Sequence, residues 1–329
     1  MAEPKELSYS TRAELRELLA EYIQKYPYDD EIELFLNWFK NRYGDNLLAV
    51  IFFGSCLSEK TKSATSFKDF IVVVERYRRT SLNPLAWLSR WILPPDLFHL
   101  ALEQEGKKHE CKYYLLNAPQ LKDTTSEQAK DLYVLGRLSK RIALIYARDE
   151  ASRELVLQAQ ESAMRRASRL SLAFLEGFNL EEFIKAVLRL SYLAETRLED
   201  ERKVESLYTA HKEFYHRAYA LILDELINAG AVKKLAEARY QVIKDRLEMK
   251  KDEVEEYLIK SRKRFKARWP KMILTVDNWL DQLLGKLERT YGIKLEIPAW
   301  ERPIVLITGW RHYFRFKREG KIHEHNLRD

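Results

Sequence analysis

Gly54 and Ser55 follow the apolar run Leu47–Phe53, and Asp69 stands at the head of a second apolar run, Phe70–Val74. A glycine permits a sharp turn through backbone angles that side chains disfavour. Ser55 then predicts an N-cap for a helix through Leu57 and Lys60, whose free amides and hydroxyl attract phosphate. Asp69, entering beside the same opening, brings a carboxylate that can hold a divalent ion against a triphosphate. An ordinary strand-turn-helix would carry the same letters, because Gly-Ser after an apolar run is common.

The elements that must position these residues are two short, buried, neighbouring strands, since both runs are rich in β-branched and aromatic residues and too short for core helices. Strand, Gly-Ser, short helix and an Asp-headed strand make the outline of the nucleotidyltransferase fold. One feature departs from it: such proteins usually carry two acids as Asp-x-Asp, and the second place here is Ile71.

The chain has 329 residues, 46% hydrophobic and 33% charged, enough for one large core or two modest ones. A formal charge of +7 and a pI near 9.1 favour anionic partners: nucleotides, nucleic acid or an anionic membrane surface. Cys56 and Cys111 stand alone at no metal-ligand spacing, which argues against a disulfide scaffold or structural zinc and suits a reducing compartment. The first residues, with Glu3 and Glu6, do not read as a presequence, and no apolar run approaches the roughly 20 residues needed to cross a bilayer.

Helical periodicity predicts elements over 10–25, after a Ser10–Glu14 cap, and over 30–43, with Ile32, Leu34, Phe35 and Trp38 inward and Gly44 as the stop. Pro84–Trp91 reads as a short helix, Lys107–Leu116 as a third core strand, Ser126–Arg137 as a helix and Ile142–Tyr146 as an apolar segment. Helical texture then dominates 149–176, 179–197, 204–229 and 231–260, broken at Gly177 and Gly230, with a further helix over 276–291 and an extended tail from Ile304 to Phe316. The expected class is α+β: a nucleotidyltransferase-fold domain, a mixed sheet flanked by helices, then a mostly helical domain. Its parts are 1–148, 149–303 and a basic aromatic tail, 304–329.

Several segments resemble one family, the mitochondrial-type CDP-diacylglycerol synthases, which also occur in bacteria. Phe53-Gly54-Ser55 is similar to the family's aromatic-Gly-Ser, and Asp69-Phe70-Ile71 to its Asp followed by two apolar residues, without a second adjacent acid. Ser81-Leu82-Asn83 resembles its Ser-x-Asn, and Lys112-Tyr113 its later Lys-Tyr. Leu132-Tyr133-Val134-Leu135-Gly136-Arg137-Leu138-Ser139-Lys140 is similar to its Tyr-x-Ala-Gly-Arg-Leu-Gln-Lys segment, and Leu190-Ser191-Tyr192 through Glu195 and Arg197 to its Leu-Ser-Tyr with an acid and an Arg. The likeness runs from about 50 to 200. Cys56-Leu57-Ser58 departs from the usual Gly-Val-Phe, and Tyr114 replaces a Gly.

The resemblance implies transfer of a cytidylyl group from CTP to phosphatidic acid, giving CDP-diacylglycerol and pyrophosphate. A phosphate nucleophile is already ionised at neutral pH, so the work is positioning and charge neutralisation rather than base catalysis. Asp69 is expected to hold Mg2+, with Glu110 as second carboxylate because it shares a strand face with Lys112, or Glu75 at the far end of its own strand. Lys112 is expected to neutralise phosphate; a surface Lys on an edge strand is the plainer reading. Gly54, Ser55, Asn83, Arg137, Tyr192 and Arg197 are the expected nucleotide contacts. Without the resemblance, Arg137 and Arg197 are ordinary helix-end cations and Tyr192 is core packing.

Lys260–Lys271 holds seven cations with Phe265 and Trp269 among them. Such a segment suits adsorption to anionic lipid, at roughly 1 kcal/mol per cation, or forms a solvated helix face or nucleic-acid patch. The tail, with Trp310, Tyr313, Phe314 and Phe316 among Arg311, Arg315 and Lys317, has the same character, and His323 and His325 are too isolated for a metal site. The expected setting is cytoplasmic and peripheral on the inner face of the cell membrane, with no nucleic acid partner and a homodimer left open. The rival readings are a nucleotidyltransferase acting on protein, RNA or a small molecule, and an inactive fold that binds nucleic acid.

Overall fold

The computed structural model of the chain describes residues 4–27, 29–58, 67–77, 93–193 and 201–268, the side chains from 11 onward, and single positions at 280, 284, 297, 298, 301, 308, 311 and 318. Two compact units are present, Met1–Lys271 and Met272–Asp329. In the second, Leu280 and Ile297 are buried with Leu284 packed against them. The expected elements at 84–91, 276–291 and 304–316 lie outside the described residues.

Helices α1 (Pro4–Tyr22) and α2 (Asp30–Tyr43) lead into β1 (Leu47–Phe53) and β2 (Lys68–Val74). The first helix begins earlier than expected, so Ser10–Glu14 lie inside it rather than cap it. The second is bounded as its sequence dictates: Asp29 accepts a hydrogen bond from the Ile32 amide at 2.8 Å, and Gly44 closes the other end at φ 51°. Its buried stripe is Ile32, Phe35, Phe39 and Tyr43, with Trp38 only half-buried.

Next come β3 (Asp96–Gln104), β4 (Lys107–Asn117), α3 (Ala118–Thr125), the single turn α4 (Leu135–Leu138) and β5 (Ala143–Ala147). The sheet order is β3-β4-β2-β1-β5, with β2 and β4 parallel and the other pairs antiparallel, so it is mixed. Strand β3 has no counterpart in the sequence reading. Glu105 and Gly106, both at positive φ, form the hairpin turn that folds it onto β4 and overrides its helix-favouring Leu, Ala and Glu content. The helix expected over 126–137 is found instead at 118–125, where Asn117 and Gln120 make a capping box.

The sheet has two unlike faces. On one, Phe52, Phe70, Tyr113 and Phe98 align across four strands, Phe98 stacking on Tyr113 at 4.9 Å and Phe52 packing at a tilt on Phe70 at 5.3 Å. Phe39 of α2 caps this row, 5.6 Å from Phe70 and 5.1 Å from Tyr113. Burying each such ring contributes about 1.5–3 kcal/mol. On the same face Lys68 is buried but paired with Asp29 (3.1 Å) and Glu31, which offsets the cost of taking an ammonium out of water.

The helical region consists of α5 (Glu150–Leu172), α6 (Leu180–Leu193), α7 (Glu201–Ala210), α8 (Lys212–Asn228) and α9 (Lys251–Ala267). The helix expected over 231–260 is corrected: β7 (Val232–Lys234) and β8 (Tyr240–Val242) occupy its first half and pair with each other, and β8 pairs on its other side with β6 (Gly177–Phe178). Tyr240 stacks on Phe178 at 5.7 Å, and Val232 and Val242 are buried. The α+β class holds, with a helical C-terminal region.

Candidate active site

The second face of the sheet carries a polar row. Register aligns Phe53 of β1, Asp69 of β2, Lys112 of β4 and His99 of β3 across four adjacent strands. Opposed residues share a face, with β-carbons about 5 Å apart. Asp69 is the one residue of β2 that is not buried. A carboxylate and an ammonium from neighbouring strands thus stand together at the end of the sheet where the chain turns through Gly54.

Gly54 adopts φ 92°, and a β-carbon there would lie 3.2 Å from Oδ2 of Asp69. Both the angle and the space require glycine. The helix expected after Ser55 is corrected to a single 3-10 turn, Ser55–Leu57, without a side-chain cap, and Ser58 is already extended. The Cys56 thiol donates to the Phe67 carbonyl at 3.4 Å, tying the turn to the start of β2. Cys111, on the opposite face, is buried; burial first and the nearby Asp69 charge second push its thiol well above the usual range, leaving it unreactive.

Glu110 shares the face of Lys112, two positions away. Its carboxylate lies 3.2 Å from Nε2 of His99 and 2.9 Å from Nζ of Lys108. Glu75 is at the other end of β2, against Arg148 at 3.3 Å. The ammonium of Lys112 sits 4.6 Å from the Phe67 ring.

Arg137 enters over this face. Its guanidinium lies 4.0 Å from the Tyr133 ring, 4.9 Å from Tyr114 and 5.9 Å from Phe53, and Nη1 donates to the Tyr133 carbonyl. The aromatic that replaces the family's glycine at 114 therefore forms part of the Arg137 cradle. Gly136 explains the approach of the next element: a β-carbon there would be 3.0 Å from Cβ and 3.2 Å from Cα of Ser191. That contact joins α4 to the end of α6, where Lys140 rests 4.0 Å over the ring of Tyr192. Gly54, Ser55, Asp69, Lys112 and Arg137 thus converge on one sheet end. Tyr192 is half-buried beside Lys140, and Asn83 and Arg197 lie outside the described residues.

Sequence reasoning missed His99, because β3 itself was not foreseen, and it quoted Lys140 only as the last letter of a matched segment. Among the described residues no three His, Cys, Asp or Glu side chains cluster as a metal cage.

Comparison with curated proteins finds no match. A family model described as "Phosphatidate cytidylyltransferase, mitochondrial" matches residues 99–273. The match opens in β3 and takes in Lys112, Arg137, Lys140, Tyr192 and α9; Gly54, Ser55 and Asp69 precede it and rest on the geometry above. Covering more than half of the chain, it shows that this protein belongs to the mitochondrial phosphatidate cytidylyltransferase family.

Proposed function

We propose that the chain transfers the cytidylyl group of CTP to phosphatidic acid at the surface of an anionic membrane, releasing pyrophosphate and forming CDP-diacylglycerol. The observation that carries this beyond family membership is the close approach of Gly54 and Asp69, which keeps a carboxylate and a bare stretch of backbone side by side. An ionised phosphate oxygen of phosphatidate forms a bond to the α-phosphorus of CTP while the bond from that phosphorus to the β-phosphate oxygen breaks. Lys112 and Arg137 supply the positive charge two such anions need in order to approach. The aromatic cradle holds Arg137 with little freedom left to lose.

The residues fit a magnesium ion: Asp69 offers one partly exposed carboxylate, and magnesium commonly takes one or two protein oxygens with the rest from phosphates and water. When bound, magnesium lowers the repulsion between the two anions and stabilises the leaving pyrophosphate. Glu110, paired with His99 and Lys108, is the weaker candidate for a second ligand.

None of the described helices is long and apolar enough to cross a membrane. Contact with anionic lipid is proposed through Lys260, Lys263 and Lys266, which are exposed along α9 and attract a negative surface. Labelled CTP, phosphatidate vesicles and magnesium should yield a liponucleotide with the purified protein. Nucleotide incorporated only into a lipid-free acceptor, or activity indifferent to the choice of nucleotide, overturns the reading.

A further inference from the structure

The basic segment that begins at Lys260 does not lie wholly on the surface. Arg262 donates to the Leu193 carbonyl at 2.6 Å, Arg264 to Asp131 at 2.9 Å, and Phe265 packs on Tyr133 with ring centres 5.4 Å apart. Arg268, only 4% exposed, reaches deepest: its Nη2 is 2.8 Å from Oδ2 of Asp131, and Nε and Nη2 both donate to the Pro94 carbonyl, at 2.9 and 2.5 Å. Ser261 and Tyr257 add bonds to the Leu132 amide and the Ala129 carbonyl. Helix α9 is stitched along the segment 129–133, which runs directly into Arg137.

The connection continues to the site. The second oxygen of Asp131 accepts the Tyr133 amide at 3.0 Å, and the Tyr133 carbonyl accepts Nη1 of Arg137. Tyr133 also lends its ring to both guanidinium groups, Arg137 at 4.0 Å and Arg268 at 4.8 Å. Burial alone would raise the Asp131 carboxyl; the charge and hydrogen bond of Arg268, with Arg264 behind them, outweigh it and hold the group below the usual range. It therefore remains an anion that two cations grip. Nothing in the membrane reading of this segment requires such a grip. A lipid-adsorbing helix keeps its cations in water, whereas a buried arginine held between a carboxylate and a backbone carbonyl fixes geometry.

We infer that Arg268 and Asp131 are positioning residues of the cytidylyltransfer site: through the backbone and ring of Tyr133 they fix the guanidinium of Arg137 over the face that carries Asp69 and Lys112. The inference rests on the function proposed above. It makes helix α9, with Arg268 at its end, a structural part of the catalytic assembly.

A double-mutant cycle tests it, with liponucleotide formation measured for wild type, Arg268→Met, Arg137→Lys and the pair. If Arg268 acts through Arg137, Arg268→Met lowers kcat/KM about a hundredfold in the wild-type background and by less than about threefold once Arg137 is lysine. Arg268→Lys, which keeps the charge but loses the Nε bond to the Pro94 carbonyl and the planar guanidinium over the Tyr133 ring, recovers part of the loss and serves in place of the Met variant if that one does not fold. An equal factor in both backgrounds, or wild-type kinetics in Arg268→Lys and Arg268→Met alike, overturns the inference while leaving the proposed reaction intact. A wild-type protein that forms no liponucleotide removes both.

Discussion

Gly54 and Asp69 are in such close contact that a single added carbon on the glycine would press on the carboxylate, 3.2 Å from Oδ2. The turn after β1 and the head of β2 are thus one feature, and the space between them is kept by the absence of a side chain. Gly54→Ala meets two penalties: a left-handed φ of 92° and the contact itself. We expect a loss of about 1–3 kcal/mol in stability and displacement of Asp69 from the turn, with liponucleotide formation falling far more than the melting temperature accounts for. Urea unfolding and steady-state kinetics on the same preparation check this. Unchanged kinetics would remove the glycine from the site.

Asp69→Asn separates charge from shape. The amide fills the same volume at the one half-buried position of β2, so the fold should tolerate it. Loss of the negative charge should lower kcat by at least about a hundredfold, as removal of a group that stabilises transition-state charge does. It should also weaken the dependence on magnesium concentration. Activity titrated against magnesium in wild type and variant is the measurement, and parallel curves would show that this carboxylate holds no ion.

Gly136 and Ser191 bring α4 against the end of α6, with a β-carbon at 136 only 3.0 Å from the serine Cβ. Gly136→Ala should cost about 1–3 kcal/mol by overpacking and shift Arg137 and Lys140 relative to Tyr192, lowering kcat/KM. Replacing Ser191 by glycine in the same chain removes the nearer of the two contacts and should restore part of both losses. Independent effects of the two substitutions in a thermal-melt cycle would show that the helices do not meet as described.

The parts legible in the sequence are those whose cause is local. The two apolar runs form β1 and β2 because β-branched and aromatic side chains fill both faces of a buried strand, and α2 begins and ends at Asp29 and Gly44 because a cap acts within three residues. The pairing of Gly54 with Asp69 was legible as neighbourhood, though not as contact. What could not be read depends on distant partners. Strand β3 is a strand because β4 pairs with it, and residues 232–234 and 240–242 form strands because they pair with each other while Tyr240 stacks on Phe178, 62 positions earlier in the chain. Arg268 looks like any cation in a basic run until Asp131, 137 residues away, is seen to hold it.

His211, at the junction of α7 and α8, gives the fold a pH dependence whose sign can be worked out. Burial first, and the charge of the nearby Arg141 second, lower its pKa to about 4. In the unfolded chain the imidazole has the ordinary value of about 6.5. Between these values the unfolded chain carries a proton on this group and the folded chain does not, so acid favours unfolding. The stability contributed by the neutral imidazole is therefore fully present above about pH 6.5 and declines as pH falls toward 4. From pH 7 to pH 5 this one group should account for about 2 kcal/mol. Arg141 cannot relieve the effect, since it is itself buried, lies against the Tyr22 and Phe214 rings and stays charged throughout this range. His211→Gln, which does not titrate, should flatten that part of the curve while lowering stability at pH 7 by a smaller amount. Urea unfolding of both proteins at pH 7 and pH 5 decides the matter, and an identical acid loss in the variant would place the sensitivity elsewhere.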